Sequence, residues 1–141
     1  MDMERKIAIS DTGFVVALLN KSDGKHSDVV EIYKQQNSIL LPQTVLAEVA
    51  YLVGRSVGIN VVATFLKGLS ASRFRLISLT ETDVMRVAEI LDKYEDSRID
   101  FVDATVMAIA ERYKSNLILT LDRRDFRLFR PKHCQSFDIL P

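Results

Sequence analysis

The feature that most constrains this chain is an alternation. Five short apolar runs, at residues 7–10, 39–41, 74–79, 117–121 and 137–140, are separated by segments with helical spacing. Residues 14–19 read as a buried helix and residues 27–36 as a polar-faced one with Val30 and Tyr33 inward. Across 43–55, Val45, Leu46, Val49, Leu52 and Val53 recur at the helical period, and across 60–70 Val61, Val62, Phe65 and Leu69 do the same. Thr80 to Asp83 carries N-cap chemistry and opens a helix through Val84, Val87, Ala88 and Leu91 towards Tyr94; another spans 101–113. Strands that alternate with helices pair in parallel, and right-handed crossovers place helices on both faces. The expectation is an α/β fold: a three-layer α/β/α sandwich around a central, mainly parallel sheet.

Composition narrows the class. A chain of 141 residues with 48% hydrophobic and 27% charged content is an ordinary globule rather than a disordered segment. No repeat or Pro/Gly-rich linker divides it, so one domain over 1–141 is expected. Cys134 alone excludes a disulfide framework and multi-thiolate zinc, and His26 and His133 lack metal-ligand spacing. Nineteen basic residues balance nineteen acidic ones, so no global field points to nucleic acid or membrane. No run approaches a membrane span and the start lacks a signal-peptide pattern, which makes the expected location cytoplasmic.

In open parallel sheets ligands bind beyond the carboxyl ends of the strands, where strand order reverses. Asp11 leaves the first expected strand, Asp122 leaves the 117–121 strand, and Asp103 lies in the first turn of the helix between them in sequence. Each aspartate has a structural reading as a helix cap: Asp11 alone, Asp100 with Asp103, and Asp122 with Asp125 around a short turn at 122–127. Glu48, mid-helix, is not explained by capping, although a solvated face would accommodate it. Carboxylates gathered in one pocket repel and stay ionised together only beside a cation. With oxygen donors and no histidine or cysteine cluster that cation is hard, Mg²⁺ or Mn²⁺, and the reaction class that fits is metal-assisted phosphodiester hydrolysis.

Four segments carry a resemblance in order across almost the whole chain. Residues 9–13 (Ile-Ser-Asp-Thr-Gly), 42–48 (Pro-Gln-Thr-Val-Leu-Ala-Glu), 101–104 (Phe-Val-Asp-Ala) and 119–126 (Leu-Thr-Leu-Asp-Arg-Arg-Asp-Phe) resemble the acidic motifs of PIN-domain ribonucleases. The length resembles that of VapC-type toxins. The resemblance implies a Mg²⁺- or Mn²⁺-dependent endoribonuclease acting on RNA, with Asp11 and Asp103 as principal metal ligands. Glu48 would complete the site, and Asp122 would bind a second metal or position water. Thr12 and Thr120 match hydroxyl positions beside the acids, Asp125 is an additional acid, and Asp100 is expected to cap. A homodimer and a small inhibitory antitoxin protein are implied as well, with no membrane partner.

Arg123, Arg124 and Arg127, beside Asp122, are candidate contacts for an RNA backbone, against the reading of a solvated charged surface. Phe126, Phe129, Phe137 and Tyr51 read as packing, His26 as a surface residue and Cys134 as a thiol without catalytic partners. Among other functions, a haloacid-dehalogenase-like phosphatase would need a second aspartate where Gly13 stands. A receiver-like module would need an acidic pair and a late lysine that are not evident. An RNA-processing nuclease outside a toxin–antitoxin pair and a non-cutting RNA- or protein-binding scaffold are the remaining alternatives.

Overall fold

The computed structural model describes residues 7–141; residues 1–6, where no signal-peptide pattern was read, lie outside the described residues. Five parallel strands form one sheet in the order β3-β2-β1-β4-β5: β1 Ala8–Ser10, β2 Ile39–Pro42, β3 Phe74–Ile77, β4 Leu117–Leu119 and β5 Asp138–Leu140. Every expected strand is present. The 74–79 and 117–121 runs stop two residues early, because the chain turns away from the sheet and its side chains take up other work. Seven α-helices connect the strands: α1 Thr12–Leu19, α2 His26–Gln35, α3 Gln43–Ser56, α4 Ile59–Gly68, α5 Glu81–Lys93, α6 Phe101–Arg112 and α7 Arg123–Leu128.

The connections through α1–α4 carry the chain from β1 outward to β3, and those through α5–α7 carry it back past β1 to β5. Opposite directions of travel with one handedness put the two groups on opposite faces, which yields the expected three layers. Strand order reverses between β1 and β4. Strands β1 and β2 are fully buried on both faces, as continuous apolar runs in parallel sheets require.

Local chemistry sets the helix ends. Thr80 and Asp83 form a reciprocal capping box at the start of α5, and Asp100 and Asp103 form another at α6. Gly58 turns the chain between α3 and α4 with φ of 144°, a conformation L side chains rarely adopt. The core includes Phe126, Phe129 and Phe137, as expected, with Phe129 stacked on Phe137 at 5.8 Å and Tyr94 tilted against Phe129 at 5.6 Å.

Three packing expectations need correction. Val29, not Val30, is the buried residue of α2, because the inward stripe runs Val29, Ile32, Tyr33. On α3, Tyr51 is 62% exposed and lies under the Arg55 guanidinium rather than in the core, and Leu52 is exposed beside it. On α5, Val84 and Ala88 face outward while Val87 and Ile90 are buried. The helical period was right in each case; the face that meets the sheet is narrower than the apolar stripe.

Candidate active site

The site grows from the carboxyl end of β1. Asp11 follows Ser10 directly, with its backbone N–H donating to the Leu119 carbonyl at 3.1 Å, so it stands between β1 and β4 where strand order reverses. It is the N-cap of α1: Oδ1 accepts from the Gly13 N–H at 2.8 Å. Its Oδ2 accepts from the Thr120 hydroxyl at 2.7 Å, in a position where Thr120 is fully buried and Asp11 almost so. Thr120 also accepts from the Asp122 N–H at 2.9 Å, so one hydroxyl aligns the ends of both strands.

The next residue, Thr12, donates to Glu48 Oε1 at 2.5 Å and ties the middle of α3 to the start of α1. Glu48 is therefore not a cap and not a free surface side chain; half-buried, it is held by Thr12. Asp103 sits at the third position of α6, where its N–H donates to Asp100 Oδ1 at 2.9 Å and its Oδ2 accepts from the Asp100 N–H at 3.2 Å. A hydroxyl pair fastens α3 to α6. Thr105 donates to the Val102 carbonyl, which leaves Thr44 as the donor to Thr105 across 2.7 Å. This brace joins one turn before Glu48 to the turn after Asp103.

The electrostatics show which groups sense one another. Burial pushes the Asp11 carboxyl up from 3.8 to about 6, against the lowering effect of the Thr120 and Gly13 hydrogen bonds, and the charges of Asp122 and Glu48 push it further. Asp103 rises to about 8, chiefly through burial, with repulsion from Asp100 and Asp11 added. Asp11 thus lies within the field of Glu48, Asp103 and Asp122. Asp125 is buried beneath Asp122; burial, then the Asp122 charge, raises its carboxyl, while Arg98 and Arg124 oppose the shift.

Among the described residues, no three Asp, Glu, His or Cys side chains stand close enough together to grip a common ion. The donor set nonetheless suits a hard divalent cation: it is all carboxylate, and the charged form of Asp11 is disfavoured by burial and by like charges. Capping and mutual electrostatic influence coexist here. Asp100 caps as expected, whereas Asp122 occupies a cap position on α7 without making a side-chain cap bond and remains exposed.

The cationic surround differs in part from expectation. Arg123 donates to the Pro141 carbonyl, with Nε at 2.9 Å and Nη2 as a second donor. Arg124 and Arg127 are exposed and make no hydrogen bond or ion pair through their side chains among the described residues. Two cations were not singled out from sequence. Arg98 reaches the field of Asp125 from the loop before α6, and its position two residues before Asp100 could have flagged it. Lys25, at the start of α2, lines a cavity that Thr120 also borders, and no local signal marks it. His26, read as a surface residue, is half-buried and meets the Ala17 carbonyl through Nδ1 at 2.8 Å.

The PIN domain family model matches residues 8–130, which takes in all four carboxylates. The chain belongs to the PIN domain family. Among curated relatives of this PIN domain, Ribonuclease VapC26 of Mycobacterium tuberculosis is 32% identical over 134 residues, covering 94% of this chain and 99% of that one. Among solved structures, VapC20 of M. tuberculosis, described as a Sarcin-Ricin loop cleaving toxin, superposes with a TM-score of 0.72 at 22% identity. That match covers 79% of this chain and 86% of VapC20. A chain of VapBC2 from Rickettsia felis, solved bound to a DNA fragment from its promoter, gives 0.67 at 19% identity, covering 94% and 96%. These likenesses establish a PIN fold over essentially the whole described chain.

Proposed function

We propose that this PIN domain is a divalent-metal-dependent endoribonuclease and the toxin of a toxin–antitoxin pair. The observation that carries the reading is the convergence of charge on Asp11, whose carboxyl senses Glu48, Asp122 and, through its effect on Asp103, the start of α6. The 32% identity to a ribonuclease along the same stretch supports RNA as the substrate. The complexes among the structural neighbours support a small antitoxin partner. A homodimer, a cytoplasmic location and a single domain over 1–141 belong to the same reading.

Asp11, Glu48, Asp103 and Asp122 would hold Mg²⁺ or Mn²⁺. Such an ion supplies neutralisation of phosphodiester charge and a more acidic water. The chain's own contribution is placement. Gly13 and Thr120 fix the two oxygens of Asp11, Thr12 fixes one oxygen of Glu48, and the capping box fixes one oxygen of Asp103. Asp122, exposed and free of a cap bond, is available to position water. Arg124 and Arg127, both exposed, would meet backbone phosphates without reading sequence.

The test is cleavage of RNA in Mg²⁺ or Mn²⁺ compared with EDTA, by the wild type, Asp11→Asn and Asp103→Asn. Cleavage by the wild type alone, lost in EDTA, is expected. Unchanged cleavage by either folded variant, or full activity in EDTA, overturns the assignment. Binding and inhibition by the product of a short adjacent reading frame tests the toxin role.

A further inference from the structure

A cavity of about 360 Å³ opens beside the carboxylates, walled by Lys25, Thr120, Leu121, Arg123 and Pro141. Its volume falls at the lower end of small-ligand pockets, the size of a single nucleotide rather than of a large cofactor. Thr120 is shared: this buried residue borders the cavity, and its hydroxyl donates to Asp11 and accepts from the Asp122 N–H. Whatever occupies the cavity therefore lies one side chain from the reacting centre.

The lining has a definite chemistry. None of the five side chains is acidic, although the adjoining candidate site is made of acids. Leu121 and Pro141 supply an apolar wall, and two cations face it. The Arg123 guanidinium is anchored on the Pro141 carbonyl and so is held in place before any ligand arrives. The Lys25 ammonium, in contrast, makes no ion pair or hydrogen bond among the described residues. Asp23, the nearest carboxylate in its loop, is committed to the Lys25 backbone N–H at 2.8 Å. Arg86 is engaged with Glu111 at 2.7 Å, Arg112 with Asp83 at 2.9 Å and Lys132 with Glu89 at 3.7 Å, whereas Lys25, like Arg124 and Arg127, is not; what sets Lys25 apart is its place in the cavity wall.

We infer that this cavity is a nucleotide subsite, which seats the RNA residue next to the cleaved bond and holds its phosphate through Lys25. The inference rests on the ribonuclease reading and adds a place for the neighbouring nucleotide. A polyanion approaching clustered carboxylates is repelled, and an uncommitted cation one residue away offsets that repulsion at short range. Leu121 and Pro141 give the ribose or base an apolar surface without hydrogen-bond readout, so the subsite is indifferent to sequence. Lys25 is a positioning residue: it binds substrate and takes no part in the chemistry.

The experiment measures binding of short fluorescein-labelled single-stranded RNAs by fluorescence anisotropy across a salt series. It uses the full chain carrying Asp11→Asn, so that cleavage does not interfere. Adding Lys25→Gln is expected to weaken binding about three- to fivefold and to flatten the dependence of log affinity on log salt by about 0.7. Lys25→Arg restores both, and Lys67→Gln, the same charge change on α4, alters neither. An unchanged affinity and salt slope in Lys25→Gln overturns the subsite, as does a loss confined to one RNA sequence. The two readings separate cleanly. If the wild type cuts no RNA but Lys25→Gln still flattens the slope, the nuclease reading fails, the place beside a cleaved bond falls with it, and only the phosphate contact of Lys25 stands. If the wild type cuts and Lys25→Gln leaves KM and slope untouched, the subsite alone fails.

Discussion

Replacing Asp11 by Asn should inactivate the protein and stabilise it. The buried carboxyl titrates at about 6 in the folded chain against 3.8 ordinarily. Because the folded value is the higher one, protonation favours the native state: its contribution is fully present below about pH 4 and is lost as pH rises through about 6. At pH 8 the ionised group costs the fold about 3 kcal/mol relative to its neutral form. Asparagine carries no charge, and it can keep the local bonds. Its carbonyl accepts from the Gly13 N–H, and its amide donates to Thr120 Oγ1, whose proton is then free for the Asp122 carbonyl, 3.4 Å away. Asn is as good an N-cap as Asp, so α1 loses nothing.

The assay is thermal unfolding of both proteins in EDTA. The variant should melt roughly 10 °C higher at about pH 8, and the two curves should converge near pH 4. A saturating divalent cation at pH 8 should then raise the wild type towards the variant while leaving the variant nearly unmoved. An equal or lower melting temperature for Asp11→Asn at pH 8, or an advantage that does not change with pH, refutes the claim that Asp11 is held charged against its surroundings.

Thr120→Val keeps the shape of a fully buried residue but leaves Asp11 Oδ2 and the Asp122 N–H without their hydroxyl partner. A loss of about 1–3 kcal/mol in urea unfolding is expected, with RNA cleavage down by about 10–100-fold. Asp100→Ala removes one half of the α6 capping box and should cost about 1 kcal/mol by the same measurement, whereas Asp100→Asn should cost little. Phe129→Ala empties the aromatic cluster with Phe137 and Tyr94 and should cost about 3–5 kcal/mol. Tyr51→Ala, on the exposed face of α3, should stay within about 0.5 kcal/mol in calorimetry.

The elements were legible because their signals are local. Runs such as 39–41 and 117–119 are short, apolar and flanked by turn or cap residues, and parallel pairing follows from the helices between them. Which face of each helix meets the sheet was less legible. The apolar stripes of α3 and α5 are wider than the buried strip, so Leu52 and Val84 remain outside. The four candidate carboxylates stand out in the sequence because three end a strand or begin a helix and the fourth has no capping role. Their supports do not. Nothing near Thr44 points to Thr105, 61 positions away, and nothing near Lys25 points to Thr120. Those pairings exist only once the crossovers have fixed which helix lies beside which.

Capping and the proposed coordination would use different parts of the same side chains, and that division has a physical rationale. A metal-binding carboxylate needs a fixed direction, and a helix N-terminus supplies one because its free N–H groups hold an oxygen in place. Asp11 gives Oδ1 to the Gly13 N–H, and Asp103 gives Oδ2 to the Asp100 N–H, so each is oriented by the helix it starts. Glu48, far from a helix end, has no such donors; Thr12, adjacent to Asp11 in sequence, supplies a hydroxyl instead. The orientation of Glu48 is thereby slaved to the start of α1 rather than to its own helix. A displacement of α3 alone would stretch the Thr12 contact before it disturbed Asp11, so the site should lose Glu48 first and its β1 centre last.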